Sequence, residues 1–238
     1  MGDPNTLWDF LPYLAAGIPV TLSITFVAMA FAIPVAFLLA LGRMSDQAAL
    51  RWAAGFVIEL FRGSSAIVQL FWVFYVLPFM GIDLPALVAA VFVLSVNSGA
   101  FLSEVVRAGL VAVPVGQYEA SLTLGFSKPY RFFRIILPQA LPLMIPPFGN
   151  ALVTMLKFTA LVSLVTIQDL AYRASLVGGV LGESGLVFGI VIVVYFSISL
   201  VLGGGARLLE RVVNRRAGRI ATADNQHRIP DWALGLNR

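Results

Sequence analysis

The feature that most constrains this fold is a series of five long stretches without a charged residue. They cover residues 10–42, 63–82, 84–103, 135–156 and 184–206. A helix needs about 20 apolar residues to cross a bilayer, and each stretch reaches that length. The sequence therefore predicts an all-α membrane protein with five transmembrane helices.

The composition agrees with a membrane location and leaves little for catalysis. Of the 238 residues, 59% are hydrophobic and 12% are charged, whereas soluble domains carry about 25% charged residues. Cysteine is absent and His227 is the single histidine, so disulfides, histidine-based metal sites and catalytic triads are excluded. We predict no catalytic residue and no metal ligand in this chain, which disfavours a membrane enzyme.

The basic residues predict the orientation of the chain. The N-terminal segment contains Asp3 and Asp9 but no lysine or arginine, unlike a secretory signal peptide. If the first span is retained with its N-terminus outside, fourteen of the sixteen basic residues face inward, and Lys157 and Arg173 remain outside. Because cytoplasmic loops are enriched in basic residues, we predict an external N-terminus and a cytoplasmic C-terminus.

Two features interrupt the simple pattern of spans. The apolar run 158–168 is too short to cross a bilayer and is predicted to be a re-entrant or surface helix. The fourth span contains four prolines, each of which removes a backbone donor, so this helix is expected to be kinked or broken. They are Pro138, Pro142, Pro146 and Pro147.

The C-terminal segment, residues 207–238, is predicted to be a basic cytoplasmic tail. Four of its arginines follow one another at intervals of four residues: Arg207, Arg211, Arg215 and Arg219. Such a stripe suits anionic lipid headgroups of the inner leaflet. Anchoring of the orientation is the preferred interpretation, and no nucleic-acid partner is expected.

The longest charge-bearing interval between two spans has the pattern of two short helices joined at a glycine. Gly125 can adopt the left-handed conformation that ends a helix, Ser127 suits an N-cap, and Pro129 is tolerated in a first turn. The first helix has one apolar face, formed at intervals of four residues by Tyr118, Leu122 and Phe126. This loop is predicted to lie across the cytoplasmic mouth of the bundle and to dock into a partner.

The spacing in this loop resembles the cytoplasmic EAA loop of bacterial ATP-binding-cassette (ABC) importer permeases. That pattern is E-A-A, three residues, G, nine residues, then I-x-L-P. The matching residues here are Glu119, Ala120, Ser121, Gly125, Ile135, Leu137 and Pro138. Ser121 replaces the second alanine and is small enough to preserve close packing.

Further motifs resemble the polar amino acid branch of these permeases. The matching residues are Glu59, Phe61, Arg62, Gly63 and Gln69 at the second span, then Asn97, Glu104, Arg107, Val113, Pro114, Gly116 and Gln117, then Gln139, Ala140, Asn150 and Lys157. Ser64 and Ser65 replace the usual Thr-Pro, and Phe158 and Ala160 replace an expected Asp and Ser. These departures leave the substrate open among polar amino acids, opines and zwitterions such as ectoine.

The resemblance implies one transmembrane domain of the type I importer class over residues 1–238. Its core is about 17–210 and its coupling loop about 108–134. The residues that would couple to the ATPase are Gly116, Glu119, Ala120, Ser121 and Gly125, with Glu119 forming a charge-assisted contact or capping its own helix.

The resemblance also implies the partners and the location. It implies a cytoplasmic ATPase dimer, a second permease subunit that is the same or a similar chain, an external solute-binding protein and a place in the bacterial inner membrane. No phosphate-binding G-x-x-x-x-G-K-[ST] motif occurs here. No cofactor is therefore expected on this chain, and the partner ATPase would use ATP and Mg²⁺.

Two pairs of opposite charges share a helical spacing. Glu59 and Arg62, and likewise Glu104 and Arg107, are three residues apart and can pair on one helix face. Because ionisable groups at membrane depth usually pair or line a polar pathway, we hypothesise that the two pairs meet across helices near the inner gate. Local pairing that merely ends each helix is the alternative.

The substrate pathway is predicted from polar residues near the spans. These candidates are Gln69, Asn97, Thr154, Lys157 and Thr159. An ion-coupled secondary transporter or a channel subunit is the main alternative function. The spans lack interior charges, which argues against a proton or sodium relay.

Overall fold

The computed structural model describes residues 7–225, and side chains over residues 8–213. This part of the chain is helical and contains no strand. Its helices are α1 (Leu7–Ala15), α2 (Ile18–Arg43), α3 (Ala48–Gly63), α4 (Ala66–Phe71), α5 (Ala86–Val111), α6 (Val115–Thr123), α7 (Lys128–Tyr130), α8 (Leu137–Phe158), α9 (Leu170–Leu181) and α10 (Ser184–Asn225).

Four continuous helical stretches are long and apolar enough to span a membrane. They are Trp8–Arg43, Ala86–Val111, Lys128–Val165 and Ser184–Val213. The bent pair Ala48–Gly63 and Ala66–Met80 supplies a fifth candidate span when it is counted as one. The predicted all-α membrane protein with five transmembrane helices is thus confirmed, with the second span differing in form from the prediction.

The second span contains a bend that was not predicted, and the helical segment that follows it, Ala66–Met80, lies within the predicted run 63–82. Helix α3 ends at Gly63, and the chain turns by 106° before the next helical segment. That segment begins as α4 and continues as a π-helix (Trp72–Val76) and a 3₁₀-helix (Leu77–Met80). Ser64 is extended at the turn, and its hydroxyl donates to the Leu60 carbonyl, which the ending helix would otherwise leave unpaired.

The fourth span is longer than predicted and is not broken at its prolines. It starts with α7, continues as a π-helix (Arg131–Ile136), and α8 then runs through Pro142, Pro146 and Pro147. The run 158–168, predicted to be a re-entrant or surface helix, is largely a 3₁₀ extension of this span over Thr159–Val165. That prediction was wrong because Val162 and Val165 are fully buried in the main core.

The centre of the bundle is the contact between α2 and α5. Ala28, Ala32 and Ala36 form a fully buried row on α2, and small side chains of this kind let two helix backbones approach closely in a membrane. At Gly99 of α5, an added Cβ would lie 2.6 Å from Val35 Cγ1. A glycine is therefore required where these two helices cross.

A second, smaller core is formed by residues of α1, α9 and α10. Asp169 is fully buried there and caps α9, because its Oδ1 accepts a hydrogen bond of 2.9 Å from the Tyr172 amide. The Leu170 amide donates to Thr21 Oγ1 over 3.2 Å, and a Cβ at Gly17 would lie 2.7 Å from the Leu170 backbone. Helix α9, which was not predicted, is thus fixed closely against the start of α2.

The basic tail lies mostly outside what the structure describes. Helix α10 continues to Asn225, but side chains are described only as far as Val213. Arg207 and Arg211 are within that limit. The predicted arginine stripe beyond them, at Arg215 and Arg219, and the tail from residue 226 onward lie outside it.

Candidate functional site

The loop between α5 and α8 forms the predicted pair of short helices. Helix α6 ends at Thr123, and Gly125 follows with a φ of +72°, in the left-handed region that favours glycine. The Gly125 and Phe126 amides donate to the Leu122 and Ser121 carbonyls, which closes the end of α6. Ser127 occupies the N-cap position of α7, although its side chain makes no capping hydrogen bond. The predicted break at Gly125 is therefore confirmed in its geometry.

Most of the residues predicted for coupling lie on the exposed side of α6. Gly116, Glu119 and Ala120 are exposed, whereas Ser121 is buried and donates 2.6 Å to the Tyr118 carbonyl. Glu119 does not cap its own helix, because α6 begins after Pro114 without a side-chain cap. Its carboxylate is thus directed to the surface of the loop and is accessible to a partner.

The two predicted ion pairs are joined by a contact between α3 and α5. Arg107 Nε donates to Glu104 Oε2 over 2.9 Å, and Arg62 Nη1 lies 3.8 Å from Glu59 Oε1. Arg62 Nη1 also lies 3.9 Å from Glu104 Oε1, on the other helix, and its guanidinium carbon is 5.6 Å from the Phe101 ring centroid. Local pairs and a contact across helices therefore coexist in one four-residue cluster.

We predict a measurable energetic coupling between Arg62 and Glu104. Both side chains are about one-third exposed, so solvent screening limits the pair to about 0.5–1 kcal/mol. Arg62→Gln, Glu104→Gln and the double variant would be compared for uptake and thermal stability in the reconstituted transporter, with Glu59→Gln as the control for local pairing. Neutral variants are preferable to a charge exchange, which would place like charges beside Glu59 and Arg107. Strictly additive losses would contradict the coupling.

Gln69 and Asn97 form one hydrogen-bonded unit at the bend of the second span. Asn97 Nδ2 donates to Gln69 Oε1 and to the Phe61 carbonyl, each over 3.1 Å. Gln69 Nε2 donates to the same Phe61 carbonyl over 2.9 Å and to the Ser64 hydroxyl over 2.8 Å. These amides satisfy the carbonyls that α3 leaves unpaired where it ends, so they hold the bend whatever their role toward a solute.

The other predicted pathway residues do not gather around a single cavity. Thr154 lines a cavity of about 380 Å³ between α5 and α8. Lys157 lines a different cavity of about 540 Å³ against α10. Thr159 is fully buried and donates to the Leu156 carbonyl. The five candidates are thus divided between one hydrogen-bonded unit, two cavities and the core.

One buried charge in the loop was not predicted. Arg131 is among the fourteen basic residues predicted to face inward, but it is 6% exposed, and its guanidinium carbon lies 4.9 Å from the Tyr118 ring centroid. No periodicity connects residues 13 positions apart on two helices that are joined by a turn. Only the folded loop brings them together.

Comparison with known proteins identifies the architecture. The sequence model of the family described as "Binding-protein-dependent transport system inner membrane component" matches residues 32–215. The chain belongs to this family.

Two relatives and one solved structure match most of the chain. A Sinorhizobium fredii (strain NBRC 101917 / NGR234) protein named "Probable amino-acid ABC transporter permease protein y4tF" is 40% identical over 91% of this chain and 94% of its own length. The L-cystine transport system permease protein TcyB of Bacillus subtilis (strain 168) is 35% identical over 89% and 92%. A crystal structure of an amino acid ABC transporter with histidines superposes with a TM-score of 0.80 at 31% identity, over 89% of this chain and 99% of that one.

Membership confirms the predicted ABC importer permease architecture and a membrane protein with several spans. It also confirms that the chain is a permease subunit and not itself an enzyme, since its relatives are permeases. Binding-protein dependence is part of the family description, so an external binding protein belongs to the systems in which such chains act.

Proposed function

We propose that this chain forms half of the translocation pore of an ATP-driven importer for amino acids or related zwitterionic solutes. Support for an amino acid comes from the relatives, one of which is named for L-cystine, and from the amino acid transporter of similar fold. Ectoine-like solutes share the paired opposite charges of an amino acid and belong to the same proposal.

The observation that carries the proposal is the exposed face of α6 beside a left-handed glycine. Val115, Leu122 and Leu124 are between 51% and 69% exposed around Glu119. A short helix with large exposed apolar side chains and one accessible carboxylate suits a groove in a partner protein. After Gly125, α7 and α8 form one continuous helical stretch. A displacement of α6 would therefore be transmitted through the turn at Gly125 to the fourth span.

The assembly that follows has this loop on the cytoplasmic side and the N-terminus outside. A dimer of cytoplasmic ATPases would bind the α6 face and use ATP and Mg²⁺, with no cofactor held by the permease. A second permease, the same or a similar chain, would complete the pore, and an external binding protein would deliver the solute. The basic tail would contact anionic lipid of the bacterial inner membrane.

Gating and solute binding are assigned to polar side chains of α3, α4, α5 and α8, of which Arg62, Thr154 and Lys157 are exposed in the single chain. The Arg62–Glu104 contact lies between α3 and α5 and would open or close as these helices move. Gln69 and Asn97 hold the bend of the second span, while Thr154 and Lys157 line open cavities. A second permease packed against the exposed side chains would complete the pathway.

The test is the ATPase activity of the permease co-purified with its ATPase in lipid nanodiscs. The external binding protein would be added with cystine, a panel of polar amino acids, or ectoine in turn. We expect ATP hydrolysis to rise with one solute class when the loaded binding protein is present. If no ATPase co-purifies and solute still crosses the membrane, the chain acts as a secondary transporter or a channel.

A further inference from the structure

Arg131 is buried in the coupling loop without a carboxylate partner among the residues that the structure describes. It is 6% exposed, and neither its Nε nor its Nη1 has a hydrogen-bond partner there. A buried charge with unpaired donors is unfavourable unless something else stabilises it. The neighbour that does so is Tyr118, whose ring centroid lies 4.9 Å from the guanidinium carbon. Arg131 is buried while Tyr118 is 45% exposed, so this cation–π contact is partly desolvated and of intermediate strength.

This contact joins two helices across the glycine of the loop. Tyr118 is on α6, directly before Glu119, while Arg131 is the first residue of the π-helical segment Arg131–Ile136. An added Cβ at Gly125 would meet no atom within 4 Å, so the turn is open at this position. The Tyr118–Arg131 contact therefore limits how far α6 can swing relative to the fourth span.

The surroundings of Tyr118 leave room for such a swing. Its ring lines an apolar cavity of about 370 Å³ together with Met44, Phe132 and Ile136. Arg131 begins a π-helix, which is a local break in the regular hydrogen-bond ladder and a feature frequent at functional sites. One side of the contact can thus shift into the cavity, and the other side lies where the helix register is already altered.

We propose that the Tyr118–Arg131 contact transmits the displacement of α6 to the fourth span, which makes both side chains positioning residues for coupling. The inference rests on the proposed function, because it assumes that an ATPase moves α6. Neither side chain needs to touch solute or nucleotide. The specific requirement is an aromatic face at position 118 and a cation at position 131.

The test compares uptake per ATP hydrolysed for variants of the full complex in liposomes. Tyr118→Leu removes the aromatic face and keeps an apolar side chain, and we expect roughly threefold to fivefold lower uptake per ATP, the scale of a partly exposed cation–π contact. Tyr118→Phe keeps the face and should retain the wild-type ratio. Arg131→Met should match Tyr118→Leu, and the double variant should be no worse than either single variant. A purely structural role would lower the yield of complex without changing this ratio.

Two outcomes separate this inference from the proposed function. If Gly125→Asp uncouples the complex while Tyr118→Leu and Arg131→Met keep the wild-type ratio, the loop couples through another contact and the inference is overturned. If Gly125→Asp also leaves the ratio unchanged, the coupling loop itself is not used. If Tyr118→Leu fails to assemble, the test rests on the uptake per ATP hydrolysed by Arg131→Met. A wild-type value for that variant would overturn the inference.

Discussion

Replacing Gly125 by aspartate is expected to leave the permease folded and to reduce ATP-dependent uptake by at least about tenfold. Gly125 has a φ of +72° and open space around its Cα. Aspartate tolerates the left-handed region better than most residues, so the turn should survive. The aspartate charge would lie at the turn after α6, where the groove of the ATPase is proposed to bind. Burying one unpaired charge there costs several kcal/mol, and each 1.4 kcal/mol is a factor of about ten.

The matched control for this variant is Gly81→Asp. Gly81 has a φ of +84° and also has no atom within 4 Å of an added Cβ, but it follows the second span and is not part of the loop. Gly125→Asn separates charge from conformation, since asparagine also enters the left-handed region and should retain more uptake. Normal uptake by Gly125→Asp, measured with assembled ATPase in proteoliposomes, would contradict the coupling role.

The loop could be predicted in detail because its determinants are local. A glycine that needs positive φ, a serine and a proline at the start of a helix, and an apolar face at helical spacing all lie within a dozen residues. Each has a backbone reason that does not depend on the rest of the fold. The observed α6, the turn at Gly125 and the start of α7 follow these signals closely.

The bend of the second span could not be predicted because distant residues stabilise it. The run 63–82 has the composition of a spanning helix. The bend lies at the start of this run and is held by Gln69 and by Asn97, 28 positions later, which both donate to the Phe61 carbonyl. Hydropathy indicates which residues are buried in a bilayer. It carries no information about which carbonyl accepts a hydrogen bond from which side-chain amide. The π- and 3₁₀-helical segments depend on tertiary packing in the same way.

The short run 158–168 was misassigned for a related reason. A short apolar run can be a surface helix or the end of a longer buried one, and periodicity does not distinguish them. Val162 and Val165 pack into the main core, so this run is the end of the longer buried helix. Lys157 lies just before this extension and interrupts the apolar pattern, although it is exposed on a cavity and does not end the helix.

Asp169 is a further residue that composition alone misjudges. An aspartate just before a short helix is ordinarily exposed. In the structure Asp169 is fully buried and lies beside the Tyr195 hydroxyl. Burial raises the pKa of Asp169 from 3.8 to about 6, although hydrogen bonds from the Tyr172 amide and others oppose the rise.

The contact between α9 and α2 is therefore expected to be more stable in acid than at neutral pH. A carboxyl whose pKa is higher in the folded state binds more protons there, so its contribution is complete below pH 3.8 and is lost as the pH rises through about 6. The shift corresponds to about 3 kcal/mol. Thermal unfolding of the purified protein between pH 4 and 7 should show it, and Asp169→Asn, which still caps α9, should flatten the dependence. Asp83→Asn, at an exposed acid, should not. An unchanged slope in Asp169→Asn would mean that this carboxyl is ionised throughout the range.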